Sequence, residues 1–431
     1  MKNKPRSYTV EMTKKNAIVL GGTVPHKFLI ENLKARGYRT LLIDYYVNPP
    51  AASVCDKHIQ ESTLNQDAVL KIAEQENTSL VISGCVDQAN VTACYVAEKL
   101  GLPAPYDYKT ALRVTDKTLM KEGLVRAGVA TSEYKYVSSS EVNSFQCNDY
   151  PKVVKPCDCN GSKGVRKVRN ADELRLALVE ACNFSRTGRA IVENFNEGQE
   201  VNGYFFISEV EVYDLYIKGK KLPETDGHTS LQSFLTLGPE QINEKAKENF
   251  IQAVSKIAQE FSLRNTPILV QANINGDSVK IIEFAPRVGG GLSSREIALL
   301  TGFDIIDSVV SSYLGEPVDL SNIRKPDSMS AVVHLYGTGG TLKRVEGMEE
   351  LIAEGIVEEF HMHKTPGMEM SCEDLASRNR VMGAIIRGRS LLDINARVRR
   401  MIAVLRFFST DNTECLNRSL FTSNGNAFYK S

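Results

Sequence analysis

Apolar and polar positions change their period along the chain, and the change separates strands from helices. In the first hundred residues, short runs rich in β-branched residues alternate with segments whose apolar side chains recur every three or four positions. Ala17–Leu20 reads as a strand leading into Gly21-Gly22-Thr23. Pro25–Arg36 follows as a helix, with Thr23 as its cap and Phe28, Leu29 and Leu33 as its buried stripe. Thr40–Ile43 is the next strand and ends in Asp44; Asp67–Glu76, Leu80–Ser83 and Ala89–Leu100 continue as helix, strand and helix. This alternation predicts a doubly wound parallel sheet over residues 1–110. Sheets of this kind bind ligands beyond the strands' carboxyl ends, here at Gly21–Thr23 and Gly84–Gln88; tight turns alone also account for these glycines, and from the residues by themselves that is the favoured reading. Leu102-Pro103-Ala104-Pro105 then interrupts the pattern as a linker.

A helix opens at Thr115-Asp116-Lys117 and stops at Gly128, with Gly123 tolerated inside it. Tyr150–Pro156 is a strand carrying Lys155 near its end, followed by the Asn160–Val165 loop and a second strand to Val168. Arg189–Glu193 and Val201–Ser208 are further strands. Ile268–Ile274 and Ser278–Phe284 flank Asn275-Gly276-Asp277, a hairpin signal. A two-residue Asn275-Gly276 turn would put Gln271 and Glu283 on opposite faces. A three-residue loop, or an equivalent bulge, would put them on one face about 7–8 Å apart. Past Lys325-Pro326-Asp327, the strand Ala331–Leu335, helix Met348–Ala353, strand Ile356–His361 and amphipathic helix Leu391–Phe407 predict a small α+β domain over 326–431. The tail beyond Ser409 is expected to fray.

Composition narrows the function. A chain of 431 residues needs more than one core, and 42% hydrophobic with 24% charged residues is ordinary for a globular protein. Lys plus Arg equals Asp plus Glu, 52 each, so no global basic field suggests nucleic acid or an anionic membrane. No apolar run approaches a membrane span, no secretory leader is expected, and nine cysteines without framework spacing fit a reducing cytoplasm. Gly22 is followed by Thr23-Val24-Pro25-His26 rather than the spacing of a dinucleotide turn, which argues against nicotinamide binding. His361 and His363 share a strand face but lack a third ligand at useful spacing, so they are expected at the surface.

The chemistry concentrates in Ile281–Gly291. Glu283 is followed by Pro286, which ends the strand, then by Arg287 and three glycines that let backbone approach a ligand. A carboxylate, an arginine and a glycine run suit a metal-bound phosphate beside an anionic substrate; the alternative is a buried salt bridge and a loop. Arg287 suits the charge that develops in phosphoryl transfer. Arg295, in the helix after the glycines, suits a substrate carboxylate or is an exposed arginine near a helix cap. Lys117 in a first helical turn opposes the helix dipole, and a bound polyphosphate would explain it.

Lys117, Lys155, the Gly161–Gly164 loop, Glu193 with Phe195, Glu200, and Glu283 with Arg287 occur in an order that resembles the ATP-grasp superfamily. The likeness is greatest to carbamoyl-phosphate-synthetase-like ligases and L-amino acid ligases, over roughly residues 15–320. The resemblance implies an α/β and α+β architecture: the N-terminal sheet domain (1–110), an ATP-grasp domain (111–325) with a lid near 131–195, and the C-terminal α+β domain (326–431). It implies that Lys117 and Lys155 hold ATP phosphates while Gly161, Ser162 and Gly164 close over them. Glu193, Asn194 and Phe195 would form an adenine hinge and Glu200 would bind ribose. Gln271 and Glu283 would ligate Mg2+, or Mn2+, which requires them on one face and so predicts the three-residue loop or an equivalent bulge. Ala285 departs from the pattern, because much of the family has a ligating asparagine there; Asn273 is a candidate substitute. The implied activity is an ATP-dependent carboxylate–amine ligase, acting in the cytoplasm on small-molecule carboxylate and amine substrates, with a homodimer compatible. A bicarbonate-using carboxylase or a nucleotide-binding protein with reduced catalysis are the alternatives.

Overall fold

The computed structural model describes residues 14–159, 163–221, 234–371 and 377–421. The first unit runs β1 (Asn16–Leu20), α1 (Val24–Ala35), β2 (Arg39–Ile43), β3 (Lys57–Ile59), α2 (Gln66–Gln75), β4 (Thr78–Ile82) and α3 (Asp87–Leu100). Its four parallel strands lie in the order β3-β2-β1-β4. Ile18, Val19, Leu41, Leu42 and Leu80–Ile82 are fully buried, as a parallel sheet covered on both faces requires. The chain leaves β1 toward β2 on one side, while β4 sits on the other. The crevice therefore opens beyond β1 and β4, at the two glycine loops where such sheets bind ligands. The three-residue β3 escaped the sequence pattern because it is too short to show a period.

Helices α4 (Tyr108–Thr115) and α5 (Lys117–Arg126) follow. Asp116 caps α5 by accepting from the Thr118 and Leu119 amides at 2.7 and 3.1 Å. Helix α4, between the Leu102–Pro105 linker and α5, had no counterpart in the sequence pattern; Asp107 caps it in the same way. Next comes a smaller layer of β5 (Tyr134–Ser138), β6 (Lys152–Pro156), β7 (Arg166–Val168), α6 (Ala171–Phe184) and β8 (Arg189–Asn194). Its antiparallel sheet has the order β5-β8-β6-β7, closed by Val137, Val154, Leu174, Leu178 and Ala190.

The remainder contributes β9 (Gln199–Ile207), β10 (Val212–Lys221), β11 (Leu235–Gly238), α7 (Glu244–Glu260), β12 (Thr266–Asn275), β13 (Ser278–Ala285), α8 (Ser293–Thr301) and α9 (Ile305–Leu314). Then follow β14 (Met329–Tyr336), β15 (Leu342–Glu346), α10 (Met348–Ala353), β16 (Glu359–Met362), β17 (Arg380–Gly388), α11 (Leu391–Val404) and β18 (Arg406–Ser409). Eight of these strands form one sheet, β13-β12-β9-β10-β11-β14-β17-β16. The sheet passes through the boundary expected at 325/326, because β11 pairs with β14. Strand β17 is buried almost throughout and was missed: its continuous apolar run has no alternation to read. Helix α11 stops at Val404 rather than Phe407, which points into the core from β18. Residues 410–421 do not fray; Cys415, Leu416 and Phe421 are buried. Among the described residues no single helix is long and apolar enough to cross a membrane. Helices α8 and α9 pass such a test only as a pair bent by 109°.

The β12–β13 hairpin differs from expectation in an instructive way. Its turn has two residues, Gly276-Asp277, with Asn275 opposite Ser278 and Gly276 at φ +58°. Continued without a break, that register would set Glu283 opposite Val270, in the apolar core under α7. The register shifts between Gln271 and Ala272, leaving Ile282 as the extra residue, and Gln271 comes to lie opposite Glu283. The bulge does what an odd loop would have done.

Gly123 inside α5 also has a tertiary reason. A Cβ there would lie 2.2 Å from the Phe261 ring, which is fully buried against Phe284. Gly123→Ala gains about 1 kcal/mol of helix propensity but overpacks a closed site at a cost of about 1–3 kcal/mol. The urea midpoint of the variant is expected to fall; a rise would show that α5 and α7 have room to separate.

Candidate functional site

One face of the large sheet is organised in rows, because directly opposed residues of antiparallel strands share a face. Lys218, Asn202, Gln271 and Glu283 make one row across β10, β9, β12 and β13. Beside it lies a row of Tyr216, Tyr204, Leu269 and Ala285, and on its other side Glu200, Asn273 and Lys280. The opposite face carries Val201, Ala272, Val270, Ile281 and Phe284, packed into a core with α7. Ala285 thus belongs to the largely apolar row.

A cavity of about 710 Å3 covers the first row. Gly21–Thr23 and Cys85–Gln88 from the N-terminal sheet form one wall, Asp158 and Lys163 another, and Gly289–Gly291 with Ser293 a third. Both glycine loops are therefore in its wall. The C-terminal strands add His334, His363, Lys364 and Arg380. Tyr45, Tyr46 and Leu64 form an apolar rim.

Lys117 and Glu283 face each other in the cavity, with Nζ 2.9 Å from Oε2. Burial penalises the charged carboxylate, but Lys117 and Lys155 outweigh it and hold Glu283 down to about 2. Arg287 forks onto Asp87 of α3, both nitrogen–oxygen distances being 2.6 Å, and donates to Val288 O at 2.7 Å. This pair joins the end of β13 to the N-terminal sheet. Gln88 donates to Asp158 O at 3.2 Å and ties the same loop to the smaller sheet layer.

Lys155 does not line the cavity. It is clasped by Glu193, which is 3% exposed and also 2.7 Å from Lys121. Burial raises the Glu193 carboxyl, but the two ammonium groups dominate and hold it at about 2. Asn194 bonds Lys152 and Glu133, and Phe195 lies beneath Lys167, whose Nζ is 3.5 Å from the ring centroid. Phe195 lines a second hollow of about 300 Å3 with Asn196, Asn273 and Lys280. Glu200 pairs with Lys220 at 2.7 Å. Gly164 needs its left-handed φ of +69°, and a Cβ would strike Phe184 and Pro156. Gly161 and Ser162 lie outside the described residues.

Three expectations change. Arg295 is absent from the cavity wall; its guanidinium forks onto Glu359 at 2.6 and 3.1 Å and lies over Phe28, so a substrate carboxylate is not within its setting. His363 is not a surface group: its Nε2 is buried without a partner, and burial with Arg380 nearby pushes it down to about 3. His361 pairs with Glu359 at 2.7 Å. Asn273 turns to Asn196 O at 3.4 Å and faces the second hollow, not the row of Glu283. Lys121, Asn202, Lys218, His334 and Arg380 were missed. The alternation Tyr216-x-Lys218-x-Lys220 was the one readable signal; the others depend on which strands become neighbours.

Comparison with known proteins bears on the fold and on the central domain. The family described as ATP-grasp domain matches residues 148–296. These residues are an ATP-grasp domain. The phosphoribosylamine–glycine ligase of Lactococcus lactis is 22% identical over 288 residues, covering 64% of this chain and 69% of the relative. The L-amino acid ligase from Bacillus licheniformis superposes with a TM-score of 0.75 at 18% identity, covering 92% of this chain and 99% of that one. The biotin carboxylase domain of Hydrogenobacter thermophilus 2-oxoglutarate carboxylase, a complex with MgADP and bicarbonate, gives 0.72 at 16% identity, covering 93% and 91%. The ATP-grasp domain thus sits within a fold that these structures share along nearly the whole chain.

Glu193 sets an acid limit on the ATP-grasp domain. Its folded value, about 2, lies below the ordinary 4.5, so its stabilisation is complete above 4.5 and is lost as pH falls toward 2. Glu193→Gln leaves two buried ammonium groups without their counter-charge and is expected to cost about 3–5 kcal/mol at neutral pH. Urea titrations between pH 2 and 7 should show a lower and flatter profile for the variant. An unchanged acid limb would remove Glu193 from that role.

Proposed function

We propose that the protein is an ATP-dependent carboxylate–amine ligase, working in the cytoplasm where ATP is supplied. The observation that carries this is the meeting of Lys117, Gln271, Glu283 and Arg287 in one cavity bounded by the glycine loops of a parallel sheet. A substrate carboxylate oxygen attacks the γ-phosphorus and ADP leaves. The amine nitrogen then attacks the acyl phosphate carbon, phosphate departs, and the nitrogen loses a proton. Lys117, which lines the cavity, receives the phosphates once Glu283 releases it; Lys155, outside the cavity wall, would first have to leave Glu193. Arg287, held rigid by Asp87, presents fixed positive charge where the transferred group becomes more anionic. The backbone of Gly289–Gly291 and Ser293 bounds the acid's position. Catalysis by this set is positioning and charge neutralisation, which needs no covalent nucleophile.

Gln271 and Glu283, opposed in register, fit a divalent cation through two oxygen donors. Among the described residues no three His, Cys, Asp or Glu side chains cluster as a self-sufficient metal cage. This suits a cation held largely by nucleotide and water oxygens, which would neutralise phosphate charge when bound.

The test is release of ADP and phosphate with Mg-ATP across amino acids, other carboxylates and bicarbonate, each with and without an amine. Amine-dependent turnover is expected, and Arg287→Lys should lower kcat by about 10²–10³-fold. Turnover with bicarbonate alone, or ATP binding without any turnover, would displace the ligase reading. Unchanged release in Glu283→Ala would remove the site assignment.

A further inference from the structure

The row Lys218–Asn202–Gln271–Glu283 contains two uncharged side chains that no ion pair engages, and one of them, Asn202, buries an unpartnered oxygen. Glu283 is held by Lys117. Lys218 turns away from Asn202 to Glu296 and Ser293, at 2.6 and 3.3 Å. Asn202 Oδ1 is buried and has no hydrogen-bond partner, although Asn202 lines the cavity. A buried carbonyl oxygen without a partner is destabilising, and a hard cation is a ligand that satisfies it.

Register fixes where that oxygen belongs. Asn202 is directly opposite Gln271 on one side, and Glu283 is directly opposite Gln271 on the other. The strands of Asn202 and Glu283 are therefore two spacings apart, about 9.6 Å. Both side chains stand on the same face and flank Gln271. Ala285, in the neighbouring row opposite Leu269, offers no donor, and Asn273 is turned to Asn196.

We propose that Asn202 donates Oδ1 to the divalent cation that accompanies ATP, as a third protein oxygen beside Gln271 and Glu283. The inference rests on the ligase reading only through its cation site on β12 and β13. The site then has one charged and two neutral protein donors, with the remaining positions left to nucleotide and water. Such a set suits Mg2+ or Mn2+, which take oxygen donors, rather than a soft metal. No donor is then required at Ala285.

Binding, rather than turnover, tests this. Mn2+ is titrated into the full chain with ADP present, and free Mn2+ is followed by electron paramagnetic resonance. Asn202→Leu should weaken Mn2+ by about tenfold or more, with ADP affinity in the presence of a chelator unchanged. Asn202→Asp, which keeps an oxygen in place, should bind Mn2+ at least as tightly as the parent. Circular dichroism melts confirm that each variant is folded. Parent-like Mn2+ affinity in Asn202→Leu while Glu283→Gln is weakened overturns the role of Asn202 and leaves the ligase reading standing. Parent-like affinity in both variants overturns the cation site itself. Weakening in Asn202→Asp equal to that in Asn202→Leu marks Asn202 as a packing residue and overturns the proposal.

Discussion

The register shift opposite Ile282 decides the geometry of the cavity floor. A two-residue turn at Gly276-Asp277 would send Glu283 toward Val270 and the apolar core. A buried, unpaired carboxylate there would cost several kcal/mol. One extra residue in β13 returns Glu283 to the face of Gln271, Asn202 and Lys218. Because strand side chains have a period of two, no smaller change could move it there. The bulge also lets the same strands stay apolar beneath, where α7 packs, and polar above, where the cavity lies.

The polar face is balanced by pairing rather than by solvent. Lys117 answers Glu283, Lys121 and Lys155 answer Glu193, Lys218 answers Glu296, and Lys220 answers Glu200. Buried pairs of this kind bring little net stability, since desolvation offsets much of their attraction. They keep the ammonium groups in place beside their carboxylates, where a ligand of higher negative charge can compete for them. Glu193 and Glu283 are held low by their lysines, so these two pairings persist across the neutral range.

Two arginine forks bind this face to the rest of the chain. Arg287 with Asp87 fixes the end of β13 against the first helix turn after β4, and Val288 donates its amide to Gly84 O at 3.0 Å. Arg295 with Glu359 fixes α8 to β16. The first arginine faces the cavity and the second braces its wall, although both lie in one short stretch of sequence. The eight-stranded sheet continues this bracing, carrying His334 and Arg380 from the C-terminal strands to the same cavity.

Local pattern was enough for the βαβ alternation, the helix opening at Thr115-Asp116-Lys117, the hairpin at Asn275-Gly276-Asp277, and for singling out Lys117, Glu283 and Arg287. Each of these is written in neighbours a few positions apart: period, turn chemistry, or the glycine run after Pro286. The sequence also carried the order of motifs that resembles ATP-grasp proteins. Tertiary structure alone decided that β17 lies inside the sheet, that the turn is even but bulged, and that Lys155 is occupied by Glu193. It also decided that Arg295 braces while Arg287 faces the cavity, and that Asn202 stands opposite Gln271. These facts depend on which strands pair and in what register, and strand pairing joins residues tens to hundreds of positions apart. Local periodicity sets the face of a side chain; only the assembled sheet sets its neighbour.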